Sequence, residues 1–139
     1  MRNLIFETIT ESLNTLVDPS TEEKIVKHIG LWQSSITEVG YVVAFPTPAV
    51  FLEFLPSAWK TLCGNRQVCE MQVRLHVVEY GAGQSTELAK HGFDLAEQIA
   101  TLLSECQLPS RGKFQRIESL TNHESEMVKD CMETFKLTI

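Results

Sequence analysis

Cysteine is the first residue type in this sequence whose chemistry could support catalysis or metal binding. The chain has four cysteines, Cys63, Cys69, Cys106 and Cys131. No two of them show the two-residue spacing of zinc knuckles and redox motifs. Cys69 and Cys131 fall on apolar positions of predicted strands, so we expect buried and unreactive thiols there.

For three of the four histidines, the surrounding sequence indicates whether the residue could act as a catalytic base or a metal ligand. His76 lies on the polar side of a predicted strand, where we expect it to be solvated. His91 follows Glu87 by four residues on a predicted helix, which is typical of surface pairing. His123 precedes Glu124 in a polar connection, but no third ligand follows at a fixed spacing. We therefore expect no metal site and no cofactor.

The sequence also lacks the glycine-rich phosphate-binding loop and the nucleophile motif that many enzymes share. Gly81-Ala82-Gly83 lacks the downstream lysine of a phosphate-binding loop. The chain contains no G-x-S-x-G sequence, which would place a nucleophilic serine on a sharp turn. We therefore expect a protein that is not an enzyme. Because catalytic partners meet in space and not in sequence order, a small enzyme or ligand-binding domain with a Cys–His or His–Glu site stays an alternative.

Net charge and hydropathy limit the classes of partner that we expect this chain to bind. A protein that binds DNA phosphates needs clustered Lys and Arg, whereas this chain carries a net charge of −6 with its basic residues scattered. Its apolar runs are far shorter than the roughly 20 residues of a membrane-spanning helix. The first residues lack the apolar stretch of a signal peptide. We expect a cytosolic protein with no membrane partner and no specific nucleic-acid partner.

The elements that must position these side chains follow from apolar spacing. A length of 139 residues with 43% hydrophobic and 22% charged residues fits one folded domain over 1–139. Spacings of three and four predict helices over 3–17 and 87–106. Gly92 in the second helix indicates close packing on a neighbour. Residues 21–36 fit either a helix or irregular structure.

Alternation of apolar and polar residues predicts the strands, over 49–55, 68–79, 114–121 and 129–139. The strand over 68–79 alternates strictly, so we expect one face in the core and one in water. It follows a loop over 57–66, and its length suggests a projecting hairpin. The predicted fold is α+β, an antiparallel four-stranded sheet with helices packed on one face.

Aromatic residues outside the regular elements are candidate contact residues. Trp59 lies in the predicted hairpin loop near Leu62, and Tyr80 ends the long strand. Because Trp and Tyr are enriched where surfaces bury on association, we identify Trp59, Leu62 and Tyr80 as a candidate subunit or partner interface. Trp32 is expected in the core.

The order of elements resembles a known family. A proline-rich approach to a strand, Phe45-Pro46-Thr47-Pro48-Ala49-Val50, is followed by the long strand, the helix over 87–106 and two closing strands. This order resembles that of the tail terminator proteins of long-tailed bacteriophages, also called tail completion or neck proteins, in a prophage-encoded form. The likeness covers most of the chain.

The resemblance implies a structural role. Such proteins form a ring, usually a hexamer, on the end of the finished tail tube, stop its polymerisation and provide a surface for joining to the head. The implied partners are other copies of the chain, the tail tube protein and a head-completion protein. The implied location is the host cytoplasm during assembly and then the virion neck. Another phage connector or minor tail component of similar build stays an alternative.

Overall fold

Helices and strands follow one another in the order that the sequence patterns predict, with two additional strands. The computed structural model describes residues 1–33, 45–80, 86–108, 112–122 and 128–138. The elements are α1 (Arg2–Leu13), β1 (His28–Leu31), β2 (Ala49–Phe54), β3 (Ala58–Cys63), β4 (Arg66–Tyr80), α2 (Thr86–Glu105), β5 (Gln115–Asn122) and β6 (Val128–Thr138). The α+β class is confirmed. Helix α1 ends four residues before the predicted end of that helix.

The sheet differs from the prediction in strand number and direction. Its strands run in the order β1-β2-β4-β6-β5, and β3 pairs with β4 outside this path. Strand β1 is parallel to β2, whereas the other pairs are antiparallel. The prediction of a four-stranded antiparallel sheet was therefore wrong. Strand β1 has only four residues, too few to show alternation, and its pairing with β2 decides its conformation.

Strand β3 occupies the segment that was predicted to be a loop. Every residue of β3 is exposed, so the apolar alternation that identifies a half-buried strand is missing. The local signal was the dipeptide Gly64-Asn65, which connects the paired residues Cys63 and Arg66. Gly64 has a φ of 59°, a left-handed conformation that glycine adopts without steric cost. A two-residue connection of this kind is typical of a β-hairpin.

The β3–β4 hairpin extends past the rest of the sheet. Strand β6 pairs with β4 from Tyr80 down to Glu70, and β2 pairs only as far as Val73. Among the described residues, Arg66 to Val68 of β4 therefore pair with β3 alone. We call residues 58–68 the hairpin tip.

Both helices cover one face of the sheet. The odd-numbered residues of β4 from Cys69 to Val77 are buried beneath them. Apolar residues from α1 and α2 complete this core, namely Ile5, Ile9, Leu13, Leu95, Ile99 and Leu103. Gly92 is where α2 approaches β6, because a Cβ atom there would lie 3.4 Å from the Cys131 Sγ atom. The predicted close packing at this glycine is confirmed.

The second face of the sheet is only partly in water. Ala49, Phe51, Val78 and Val128 form a separate buried cluster on it, with Trp32, Phe45 and Tyr80 packed at its margin. The expectation that the polar side of β4 faces water throughout was wrong near Tyr80. Trp32, which follows β1, and Phe45, which precedes β2, pack against this end of the face. No helix among the described residues is long and apolar enough to cross a bilayer.

Candidate functional site

The hairpin tip carries two of the three residues predicted to form an interface. Trp59 is 56% exposed and Leu62 is 57% exposed. Trp59 lies opposite Cys69 in the ladder, so its side chain is on the helix-covered face of the sheet. It borders an open depression of about 440 Å³ beside Met1 to Asn3. Leu62 lies at an irregularity in the β3–β4 register. Both residues belong to a strand and not to the predicted loop.

The hairpin tip is also the basic part of an acidic chain. Residues 54–69 contain Lys60 and Arg66 and no Asp or Glu. Because the whole chain carries −6, the remaining residues carry −8. Neither Lys60 nor Arg66 forms an ion pair within the part of the chain that the structure describes. Lys60 lies opposite Val68 in the ladder, so its side chain is on the other face of the hairpin from Trp59.

Tyr80, the third predicted interface residue, lies elsewhere. It is half-buried and packs against the cluster on the second face. Eleven residues of strand separate it from Cys69, which is about 36 Å at 3.3 Å per residue. The structure brings Trp59 and Leu62 together in the hairpin tip but does not bring Tyr80 to them. The three candidate interface residues therefore lie at two separate places in the fold.

Further apolar side chains are exposed on the strands at the two edges of the sheet. Leu31 is exposed on β1, and Ile117 and Leu120 are exposed on β5. These strands pair on one side only within the described residues, so their outer backbone donors and acceptors are free of strand partners. Such an edge is a ready template for pairing with another chain.

His76 is the centre of a buried polar network on the second face, and it is not the solvated residue that was predicted. It is 2% exposed. Its Nδ1 atom lies 3.1 Å from Asp130 Oδ2, and its Nε2 atom lies 2.9 Å from Glu53 Oε1. Trp32 stacks on the imidazole with ring centroids 3.6 Å apart and planes 4° from parallel. The residues before β2 therefore bury a position that alternation alone assigns to water.

The geometry of this network indicates a structural role. Both ring nitrogens of His76 lie within hydrogen-bond distance of a carboxylate, Nδ1 of Asp130 and Nε2 of Glu53. No ring nitrogen is then left to take a proton from a substrate, and Trp32 covers one face of the ring. Arg74 extends the network, with its guanidinium 3.1 Å from Thr134 Oγ1 and 3.1 Å from Glu118 Oε1. The sequence contained no sign of these partners, because each comes from a different strand.

His91 has a different partner from the one predicted. Glu87 pairs with Lys90, whereas the His91 Nδ1 atom donates to the Oε1 atom of Glu79 at the end of β4. Glu79 is buried, and burial raises the pKa of its carboxyl, against the opposing effects of the hydrogen bond and the charge of His91. The two residues meet because α2 folds back along β4, which no local spacing reveals.

The His91–Glu79 pair lies beside an open cleft of about 380 Å³, between α2 and residues 18–27. Asp94, Lys24 and Lys27 also line this cleft. A buried carboxylate that holds Nδ1 fixes the tautomer of an imidazole and directs Nε2 outward, as in many catalytic and metal-binding histidines. Within the described residues, however, no three His, Cys, Asp or Glu side chains are grouped so as to hold a metal ion. The His123-Glu124 segment lies outside the described residues.

The cysteines are all free thiols. Cys69 and Cys131 are buried, as predicted. Burial raises the pKa of the Cys131 thiol to about 11, and the carboxylates of Asp130, Glu133 and Glu79 add to this effect. Since the thiolate is the nucleophile, Cys131 is inert at neutral pH. Cys63 is exposed on the hairpin tip.

No protein-family model matches the chain, and no curated protein is significantly similar to it in sequence.

Proposed function

We propose that this chain is a structural protein of phage assembly, of the tail terminator type, that forms a ring on the end of the tail tube and joins it to the head. The observation that carries the proposal is the projecting hairpin tip, which exposes Trp59 and Leu62 away from the core. On this proposal the chain is prophage-encoded, is not an enzyme, needs no cofactor, and moves from the host cytoplasm to the virion neck.

The energetics of the hairpin tip support an assembly role. Burial of apolar surface contributes about 25 cal/mol per Å², and a tryptophan can bury roughly 150–250 Å². Burial of the exposed parts of Trp59 and Leu62 by a partner would therefore stabilise a complex. Buried aromatic side chains near the centre of an interface commonly carry most of its binding energy.

The rest of the molecular surface is also suited to a ring. A subunit in a ring needs two different contact surfaces, because each copy binds one neighbour on each side. The hairpin tip and the sheet edges with Leu31, Ile117 and Leu120 provide apolar surface at separate places. The charge of −8 on the residues outside 54–69 favours passage of DNA without adhesion. The proposed partners are the tail tube protein and a head-completion protein; another connector or minor tail component is the nearest variant of this proposal.

The test is the mass in solution across concentration, by light scattering and native mass spectrometry, alone and with tail tube subunits. We expect a closed ring from the wild type in at least one condition. The variant Trp59→Ser/Leu62→Ser should keep its circular dichroism spectrum but stay monomeric. The matched control is Phe93→Ser, which removes an exposed aromatic side chain from α2 and should assemble like the wild type. A wild-type monomer in every condition, with no ring on tail tubes, contradicts the proposal.

A second candidate function rests on the His91–Glu79 pair beside its cleft. This arrangement suits a small-molecule site in which His91 accepts or donates a proton. A thermal-shift screen of metabolites would detect it, with His91→Ala as the matched control because this side chain is exposed. A ligand that stabilises the wild type and not the variant favours a binding domain, whereas equal shifts for the two proteins argue against it.

A further inference from the structure

A groove on the helical face has the opposite character to the hairpin tip. It lies between α2 and Leu16, which follows the end of α1, and it has a volume of about 430 Å³. Its lining is Leu16, Glu97, Gln98, Thr101, Leu102 and Glu105. We call it the α1–α2 groove. Leu16 and Leu102 pack against the core and are only partly buried, so they form an apolar floor.

The rim of the α1–α2 groove is acidic. Glu97 holds Arg116, with oxygen–nitrogen distances of 2.9 and 3.3 Å. Glu105 is exposed and, within the described residues, takes part in no ion pair. The groove thus offers apolar contact area beside a carboxylate that has no cation of its own.

The hairpin tip supplies the complementary groups. It exposes Trp59 and Leu62, and the same short segment carries Lys60 and Arg66, which likewise lack ion-pair partners among the described residues. Trp59 lies beside Met1 to Asn3 of its own chain, so it leaves the α1–α2 groove of that chain open. An apolar tip with a net positive charge therefore matches an apolar groove with a negative rim.

We propose that the hairpin tip of one copy docks in the α1–α2 groove of the next copy. This inference rests on the ring function proposed above and names the two surfaces that make the ring. Two copies that each carry −6 repel each other at long range. Opposite local charges overcome this repulsion at one orientation only, and they fix the register of the contact.

The contact is heterologous, since the tip and the groove are different surfaces of the same chain. Each copy then offers one tip and one groove, so contacts continue from copy to copy and close into a ring when the rotation permits. A contact between two hairpin tips would instead be isologous and would stop at a dimer.

The experiment uses two charge-reversed variants of the full chain. The tip variant is Lys60→Glu/Arg66→Glu, and the groove variant is Thr101→Arg/Glu105→Lys. Each side chain is exposed, so both variants should keep the wild-type circular dichroism spectrum. By sedimentation velocity, we expect each variant alone to bind itself at least about tenfold more weakly than the wild type. The matched control is Glu87→Lys/Lys90→Glu, which reverses an exposed pair elsewhere on α2 and should assemble normally.

Mixing the two variants gives the decisive result. The groove variant has an intact tip and the tip variant has an intact groove, so one contact forms between them. The remaining surfaces, a negative tip and a positive groove, are also complementary in charge, so we expect the mixture to regain the assembly that each variant alone has lost. Assembly of either variant like the wild type, or a mixture that stays monomeric, overturns the docking while the ring proposal stands. A wild type that never self-associates alone also overturns the docking, and mixing with tail tubes then decides the ring proposal separately.

Crosslinking provides a second measurement that does not depend on charge. Cys63 is exposed on the hairpin tip, and the variant Thr101→Cys places a thiol in the groove. Under mild oxidation we expect a ladder of disulfide-linked oligomers. The control Cys63→Ser/Thr101→Cys should lose that ladder. A ladder of equal yield in the control contradicts the contact.

Discussion

At the scale of the residue, burial between two carboxylates gives His76 a structural task. Its imidazole satisfies Asp130 and Glu53 and provides the surface on which Trp32 stacks. Asp130 is itself 1% exposed, so it depends on this donor for compensation of its charge. Removal of one partner from a buried pair leaves an uncompensated charge, which costs more than the pair contributes when intact.

The first prediction concerns this network. We expect His76→Ala to lower the free energy of unfolding by about 3–5 kcal/mol, because Asp130 loses its donor and stays buried. Urea denaturation followed by circular dichroism measures the change. The control is Lys90→Ala at a largely exposed pair, which should stay within about 0.5 kcal/mol of the wild type. A loss below about 1 kcal/mol for His76→Ala would show that water enters the site.

The second prediction concerns the pH dependence of stability at Glu79. Burial raises the pKa of this carboxyl in the folded chain above its ordinary value of 4.5. The folded state therefore holds the proton at pH values where the unfolded state has released it. Stability from this group is present below pH 4.5 and is lost as the pH rises from 4.5 through the raised pKa. Glu79→Gln removes this dependence and keeps an acceptor for His91.

The measurement is the free energy of unfolding of the wild type minus that of Glu79→Gln, determined by urea titration from pH 4 to 8. We expect this difference to fall as the pH rises. In a His91→Ala background the fall should extend to higher pH, because the hydrogen bond from His91 opposes the effect of burial on the pKa. A difference that is constant with pH, or that grows as the pH rises, contradicts the assignment.

At the scale of the element, the contact of α2 with β6 is limited by one side chain. Gly92 faces Cys131, and the Cβ of an alanine there would lie 3.4 Å from the Sγ atom, at the near limit of ordinary contact. Alanine is favoured over glycine in a helix by about 1 kcal/mol. A larger side chain would have to push the helix away from the strand.

The third prediction follows from this geometry. We expect Gly92→Ala to change the free energy of unfolding by no more than about 1 kcal/mol, because helix propensity offsets the tight contact. We expect Gly92→Val to destabilise by about 1–3 kcal/mol through overpacking. Thermal and urea unfolding of both variants measure this. Equal stability of the two variants would show that α2 does not approach β6 so closely.

At the scale of the whole molecule, the stable core and the exposed contact surface lie in different parts of the fold. The core lies where β4 and β6 pair beneath the two helices, whereas the hairpin tip extends beyond this packing. Segments with few buried contacts open at low free-energy cost, and association protects their backbone amides. A chain built in this way can fold as a monomer and still present an exposed site for assembly.

The fourth prediction is a pattern of hydrogen exchange. In the monomer we expect peptides covering residues 58–63 to exchange fastest among the strands and peptides covering 131–137 to exchange slowest, because burial differs most between them. On assembly, residues 58–63 and 97–105 should gain protection while 131–137 stay unchanged. Mass spectrometry of exchanged peptides measures this. Protection confined to the β5 edge would assign the contact to the outer strand.

Much of the fold could be predicted from local patterns. The alternation in β4 and β6 and the helical spacing in α2 each extend over ten or more residues, and their faces are repeated often enough to be unambiguous. Gly92 was predicted to mark close packing, because a glycine in mid-helix otherwise costs stability. A projecting hairpin was predicted from the length of β4, but with a loop over 57–66 where the structure has β3. Trp59 was identified as a contact candidate from its residue type, and it is exposed.

Only the tertiary structure decided the rest. Strand β1 is too short to show a pattern, and β3 is exposed on all its residues, so neither carries a periodic signal. His76 is buried because Trp32 covers it. Tyr80 is separated from Trp59 because Trp59 pairs with Cys69 near the start of β4, whereas Tyr80 ends that strand. Local periodicity reports which face a residue is on. What lies against that face depends on segments far away in the chain, and the sequence by itself does not bring them together.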